Sequence, residues 1–373
     1  GGAGAVGAGA HRPPAVQRPV MSVEERKFHF SCYIGTAISP EAGLEKGRYV
    51  VRGLLGVGVY GKVFLCEDLK YSGAHVALKV VRRDPLYRKA AQSEVKVLTH
   101  LNGTPHTATL LRAFEMHGHV CMAMELLGET LSDHLQRNGP LPEAELRLVG
   151  RTLLEALAGV HAKGVVHTDI KPDNVLLGRR EGDPVDRGVG GLTLVDFGSA
   201  VVGDAWRQSL IGTREYRSPE AVLQITWDFP ADIWAVGCLM AELALGRKLF
   251  ASACDEEHLQ LVSKVLGSAM PNHMLQTARR QHPPRPAPPR GHPSLLVDRS
   301  SMPGNLVLSR PPPRPTGPNA PAVAITVPLD TALAEVGASS SLLSSVRTML
   351  ALDPAHRPTA ETLLTHTFFT PPP

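Results

Sequence analysis

The chain is 373 residues long, 43% hydrophobic and 20% charged, with a formal net charge of +4. That is too apolar for disorder throughout, long enough to bury a sizeable core in two domains or one large two-lobed one, and too weakly basic for the positive stripe of a nucleic-acid binder. Cys32, Cys66, Cys121, Cys238 and Cys254 are odd in number and lack ligand spacing, which excludes a disulfide framework or a zinc site and leaves reduced intracellular thiols.

The chain carries 35 Gly and 32 Pro, unevenly spread. GGAGAVGAGA has no charged n-region of a signal peptide, so residues 1 to 20 read as a flexible low-complexity tail or a fragment end, with Met21 an alternative start. Residues 1 to 47 as a whole read as tail and lead-in. From Arg48 the runs RYVVRGLL, KVFLCED and HVALKVV are β-branched, short and separated by polar clusters, as in consecutive antiparallel strands. In the third, Val76, Leu78 and Val80 share one face and Ala77 and Lys79 the other, because side chains alternate across a strand. A lysine beside a small alanine predicts a strand lining a ligand cleft.

Pro85 to Leu101 reads as a helix, with proline early and Glu94 and Leu98 four apart on one face. Strands over Leu110 to Phe114 and Val120 to Glu125 precede a long helical stretch. In Glu143 to Lys163, Leu146, Val149, Leu153, Leu157 and Val160 form one amphipathic stripe. Strands first and helices afterwards predict an α+β chain in two lobes. Ala231 to Phe250, broken by Asp232, Glu242 and Arg247, reads as a buried helix, so the chain is expected to be soluble, without a membrane span. Residues 281 to 330 hold thirteen prolines between Pro283 and Pro321 and predict a surface insertion of extended or polyproline character. Helical periodicity returns over Leu342 to Leu350 and Ala360 to Leu364.

Four elements carry chemistry. Gly56-Val57-Gly58-Val59-Tyr60-Gly61, followed by Lys62-Val63, lets a hairpin approach phosphate oxygens with its backbone N–H groups. Alone it is equally an ordinary turn; lying between two strands, it disfavours a dinucleotide site. One strand later comes Lys79, with Glu94 on a helix able to reach back, an ion pair that would hold an ammonium near phosphates. His167-Thr168-Asp169-Ile170-Lys171-Pro172-Asp173-Asn174 and Asp196-Phe197-Gly198 complete the set. Phosphoryl transfer needs a carboxylate to orient a hydroxyl and accept its proton, for which Asp169 fits. Asn174 and Asp196 are oxygen ligands for a hard ion such as Mg²⁺. Lys171 is a point charge for a γ-phosphate, and His167 reads as a buried structural residue.

These elements stand in one order, 90 residues from Lys79 to Asp169, 5 more to Asn174, and 27 from Asp169 to Asp196. Together they resemble the eukaryotic protein kinases over about Arg48 to Phe369. Ser218-Pro219-Glu220 stands where that family has A-P-E, and Arg357 is placed to pair with Glu220. Thr213-Arg214-Glu215-Tyr216-Arg217 resembles the supergroup of cyclin-dependent, MAP and Cdc-like kinases. HTDIKPDN, DFGSA, ELLG and EHLQLVSKVLG with NHMLQTARR are similar to Cdc-like (LAMMER) kinases. The dual-specificity tyrosine-regulated kinases are the nearest alternative, and a pseudokinase scaffold is the rival from another class, though Lys79, Glu94, Asp169, Asn174 and Asp196 are all present.

The resemblance implies a bilobal fold, with a small antiparallel sheet and one main helix before about residue 124, a hinge at 125–128, and a larger, mainly helical lobe over 129–369. It implies ATP and Mg²⁺, with Leu55, Val63, Ala77 and Leu176 around adenine, the Glu125 carbonyl and Leu127 backbone reading its edge, and Met124 as gatekeeper. It also implies Ser/Thr phosphorylation of Arg/Ser-rich splicing proteins, tyrosine autophosphorylation, and a nuclear site of action with the cytoplasm in addition. A monomer acting on protein substrates, without nucleic-acid or membrane partners, is expected. The resemblance departs at Gln260-Leu261-Val262-Ser263-Lys264, where the LAMMER signature is expected, and at residues 281 to 330, whose RPPPRP (Arg310 to Pro315) is compatible with an SH3-type or WW-type partner. Thr168 stands where most regulated kinases carry an arginine that orders a phosphorylated loop, so basal activity is expected not to depend on an upstream kinase.

Overall fold

The computed structural model describes residues 30–39, 47–58, 60–178, 191–203, 210–281 and 325–370. Strands β1 (Ala37–Ile38), β2 (Tyr49–Val57), β3 (Gly61–Asp68) and β4 (Ala74–Val81) are followed by helix α1 (Pro85–Leu101), β5 (Leu110–Met116) and β6 (His119–Glu125). They form one antiparallel sheet in the order β1-β2-β3-β4-β6-β5. Its outer face buries Val76, Leu78 and Val80 with Phe64 and Cys66, while Ala77 and Lys79 turn to the cleft. Helix α1 begins where expected because Asp84 accepts the Leu86 N–H and Pro85 needs no partner for its nitrogen.

The lead-in is more structured than its composition predicts. Phe30 packs edge-on against Phe64 and His119, and Cys32 joins the same cluster. Within the expected tail, Phe30, Cys32 and Ile38 thus cover part of the outer face of the sheet, while Tyr33 and Ile34 stay exposed.

The larger lobe comprises α2 (Leu131–Asn138), α3 (Glu143–Ala162), β7 (Val165–Val166), β8 (Val175–Leu176), β9 (Thr193–Leu194), β10 (Val201–Val202), α4 (Pro219–Val222), α5 (Pro230–Leu245), α6 (Asp255–Leu266), α7 (Asn272–Gln281), α8 (Leu329–Glu335), α9 (Ser340–Met349) and α10 (Ala360–Leu364). The stripe of α3 is buried, and α5 is buried on every side, Asp232 and Glu242 included. Two-stranded pieces β8-β9 and β7-β10 carry the loops that meet the cleft. Of residues 281 to 330, expected as a surface insertion, Gln281 closes α7, and Ile325 and Leu329 are buried in the core. Residues 282–324, with the RPPPRP segment, lie outside the described residues. All five cysteines are free, and burial pushes the Cys66 and Cys121 thiols up to about 12. Among the described residues no helix is long and apolar enough to cross a membrane.

Candidate active site

The cleft is roofed by the β2-β3 hairpin. Gly61 must lack a side chain, since a Cβ there would lie 2.2 Å from the Val80 carbonyl oxygen. A Cβ on Gly56 or Gly58 would instead meet no protein atom within 4 Å, so no side chain screens this stretch from a phosphate, while the Gly58 N–H itself donates to the Gly61 carbonyl at 2.9 Å. Val57 ends β2 opposite Lys62, and Gly56 pairs with Val63. Val59 lies outside the described residues. Two side chains of this run have partners of their own. The Lys62 ammonium donates to the Phe30 carbonyl at 3.0 Å, because Lys62 is in register with outward-facing Val80 whereas Val63 is in register with Lys79. The Tyr60 ring packs edge-on against Tyr87 of α1 at 5.7 Å. The Lys62 ammonium is thus turned away from the cleft, whereas Tyr60 lines the pocket that holds Lys79, Glu94 and Asp196.

Lys79 donates to both Glu94 oxygens, at 2.7 and 2.9 Å, and lies 3.4 Å from Asp196 Oδ1. Burial alone would lower the ammonium's pKa; the Glu94 and Asp196 carboxylates overcome it and hold it above the ordinary lysine range. Lys79 therefore carries a full positive charge at the cleft floor.

Asp169 is locked by four donors. Oδ1 accepts the Thr213 N–H at 2.9 Å and its hydroxyl at 2.7 Å. Oδ2 accepts Lys171 at 2.7 Å and Asn174 at 3.2 Å. Burial would raise its pKa, but the bonds from Lys171 and Thr213 hold it below the ordinary carboxylate range. Lys171 also reaches the Thr213 hydroxyl at 2.9 Å. The Asn174 nitrogen is spent on Asp169, so its amide oxygen is the atom left for a cation; the Asp196 carboxylate, on the other loop, is partly exposed.

Asp232 anchors this loop from below, its carboxylate accepting the N–H groups of His167 and Thr168 at 2.8 Å each. His167 is fully buried, as expected, edge-on to Phe197, and its Nε2 donates to the Val195 carbonyl. Thr168 and Asp196 both have left-handed backbones, φ +72 and +61. For a β-branched residue this is a strained conformation costing about 1 to 3 kcal/mol. It is tolerated partly because Gly212 has no Cβ, which would lie 2.4 Å from the Thr168 carbonyl oxygen.

The adenine end is built by register. Val63 and Ala77 face the cleft in line with Lys79 and Met124, Leu55 lies in a bulge of β2, and Leu176 closes from β8. Glu125 is tied by its side chain to the Thr109 N–H, and Gly128 donates to Leu177. Among the described residues no hydrogen bond uses the Leu127 backbone, so its donor and acceptor are left for a ligand edge. The open glycine backbone, the Leu127 groups, the charged lysine and the hard oxygen ligands fit a nucleotide triphosphate and a divalent cation. Asn174 and Asp196 offer the cation two oxygen ligands; among the described residues no cluster of three or more His, Cys, Asp or Glu exists.

Beside Asp169 lies a platform. Arg357 grips Glu220 bidentately at 2.6 and 2.8 Å with neither side chain exposed. Arg214 and Arg217 converge on Asp255, and Arg217 also donates to the Ile211 and Gly212 carbonyls. Tyr216 donates to Glu242 at 2.5 Å. Burial pushes the His258 imidazole down to about 4, so it is neutral while bonded to the Arg217 carbonyl.

Thr213, Asp232 and the Thr168 hydroxyl were not expected in the site. Thr213 sits inside a quoted motif, but a short polar residue 44 positions from its partner carries no local signal. Asp232 looked like an interruption of an apolar helix, and a carboxylate in so buried a run was the available clue to a buried polar role.

A family model described as the protein kinase domain matches residues 49–369. The chain is 32% identical over 375 residues to dual specificity protein kinase CLK1 of Homo sapiens, covering 95% of this chain and 71% of that protein. It is 32% identical over 367 residues to dual specificity protein kinase CLK4 of Mus musculus, covering 93% and 70%. It is 31% identical over 291 residues to serine/threonine-protein kinase AFC1 of Arabidopsis thaliana, covering 72% and 61%. A crystal structure of a kinase domain, 24% identical, is similar with a TM-score of 0.72 over 92% of this chain and 100% of that one, and shows the same fold.

Proposed function

We propose a division of roles in a chain that belongs to the protein kinase family, in its Cdc-like, dual-specificity branch: Asp169 orients the acceptor hydroxyl and takes its proton, while Lys79, Lys171, Asn174 and Asp196 manage the phosphate charge. The chain is an ATP-dependent protein kinase. The observation that carries the division is the Asp169 carboxylate, ionised and held by four donors. Its low basicity makes it an orienting group first and a proton acceptor as the hydroxyl loses its proton.

The divalent ion, for which we propose Mg²⁺, neutralises charge on the phosphates when bound. Asn174 and Asp196 hold it by oxygen. Lys79, fixed by Glu94, presents a charge to the α- and β-phosphates. Lys171 bridges Asp169 and Thr213 and is within reach of the transferring group. Leu55, Val63, Ala77 and Leu176 exclude water from the adenine, and the glycine backbone holds the phosphates from above.

For substrates we propose hydroxyls flanked by basic residues, as in Arg/Ser-rich splicing proteins, with tyrosine phosphorylated in cis. This reading rests on the likeness to the Cdc-like, dual-specificity kinases. A nuclear site of action and a monomeric state go with the same reading. Phosphotransfer to Arg/Ser-repeat, generic basic and tyrosine peptides tests it, with Asp169→Asn as control. Turnover is expected to be highest on the Arg/Ser peptide and lower by about 10² to 10⁴ in Asp169→Asn. Equal inactivity of both proteins, with ATP still stabilising the fold, would leave a binding scaffold instead.

A further inference from the structure

We propose that the Thr168 hydroxyl is a positioning group for phosphoryl transfer, fixing the loop that carries Asp169 against the loop that carries Asp196. The proposal rests on the roles given above to those two carboxylates.

Thr168 Oγ1 donates to the Ser199 carbonyl at 2.9 Å, across 31 residues of chain. On the other side of Asp196, His167 Nε2 donates to the Val195 carbonyl at 3.0 Å. Consecutive side chains of one loop thus bracket Asp196, one bond falling just before it in the chain and the other shortly after. The restraint matters most at Thr168, whose β-branched side chain disfavours the left-handed backbone it holds. The Thr168 N–H is fixed to Asp232 beneath it, so the hydroxyl transmits the position of a buried helix to the metal-side loop. Thr168 is only 8% exposed, and water is a poor substitute for its hydroxyl there.

Without the hydroxyl, the Ser199 carbonyl loses this partner and Asp196 is free to relax relative to Asn174. The two proposed cation ligands come from different loops, so the cation's affinity senses their separation directly. Peptide binding, on the platform around Tyr216 and Arg217, does not. A merely structural Thr168 would change stability in proportion to activity and leave the metal dependence untouched.

The test compares wild type, Thr168→Ser and Thr168→Val. Turnover is measured against Mg²⁺ concentration, together with the thermal shift given by ADP with Mg²⁺ minus that by ADP with EDTA. Thr168→Val is expected to lose about tenfold in kcat, to need about threefold more Mg²⁺ for half-saturation, and to lose most of the metal-dependent shift, with peptide KM unchanged. Thr168→Ser, which keeps the hydroxyl, is expected to restore all three to within about twofold. If Thr168→Val does not fold, Thr168→Ala, with no second branch to strain the backbone, takes its place with the same expected values. Wild-type metal dependence and shift in the variant lacking the hydroxyl, or an equal loss in Thr168→Ser, would overturn the proposal. A wild type without turnover would sink the roles of Asp169 and Asp196 instead, while the metal-dependent shift still decides the bracket.

Discussion

The two lobes each contain a buried carboxylate paired with a cation, and the pairs are built differently. Lys79 and Glu94 meet at the floor of the cleft, with the lysine side chain 13% exposed and shared with Asp196. Glu220 and Arg357 meet in the larger lobe with neither side chain exposed, bidentate, with Arg357 also bonded to the Ala351 and Pro230 carbonyls and lying 4.9 Å over the Trp234 ring. The first pair is a lysine, a point charge free to turn toward a phosphate; the second is an arginine, whose planar fork suits one fixed partner. Exposure and partner number thus separate an ion pair that serves chemistry from one that serves the fold.

Removing one partner from the sealed pair breaks the comparison most forcibly. Arg357→Ala leaves the Glu220 charge buried and unmatched and is expected to cost about 3 to 5 kcal/mol, read as a lower denaturation midpoint with activity falling only as the folded fraction falls. Smaller is the effect at His258, on the same platform. Its folded pKa, about 4, lies below the ordinary value. Unfolded chains therefore bind its proton first, and stability is complete above about pH 6.5 and lost as pH falls toward 4. His258→Gln is expected to flatten the melting temperature over that window, whereas an unchanged slope would remove His258 from the account.

Thr213→Val sharpens the cleft side. It deletes one donor to Asp169, so the carboxyl becomes less acidic and the acid limb of the pH–rate profile moves up, by less than about one unit. An acid limb that stays in place would show that the hydroxyl does not tune Asp169. Smallest of all is the expected response to a phosphatase. With threonine at position 168, treated protein is expected to keep most of its turnover, and near-complete loss would mean that the loop needs a phosphate after all.

Much of this was legible because it rests on local pattern. The alternation in HVALKVV put Lys79 on the cleft face, and the same alternation, carried across the hairpin register, explains why Lys62 faces outward; treating the glycine motif as one unit hid that. The polar bonds of Thr168 and Thr213 were not legible, since hydroxyls choose partners by tertiary proximity over 31 and 44 residues. Phe30 and Cys32 were missed for a similar reason: they lie next to a low-complexity run, and two apolar side chains have no period to detect. Ile325 and Leu329 were absorbed into a proline-rich stretch, yet the core takes them because it fills by volume and not by neighbouring composition.

The contrast between the two ion pairs is tested most directly by the turnover of Lys79→Met per folded molecule. Methionine keeps an unbranched apolar chain one atom shorter than lysine while removing its charge, and burial raises the carboxyl pKa of Glu94, so that residue can take up a proton instead of remaining as a bare charge. The account predicts a fall of about 10²-fold or more in normalised turnover with a melting temperature close to wild type. Normalised turnover within a few-fold of wild type, or a melting temperature lowered as far as that of Arg357→Ala, would contradict it.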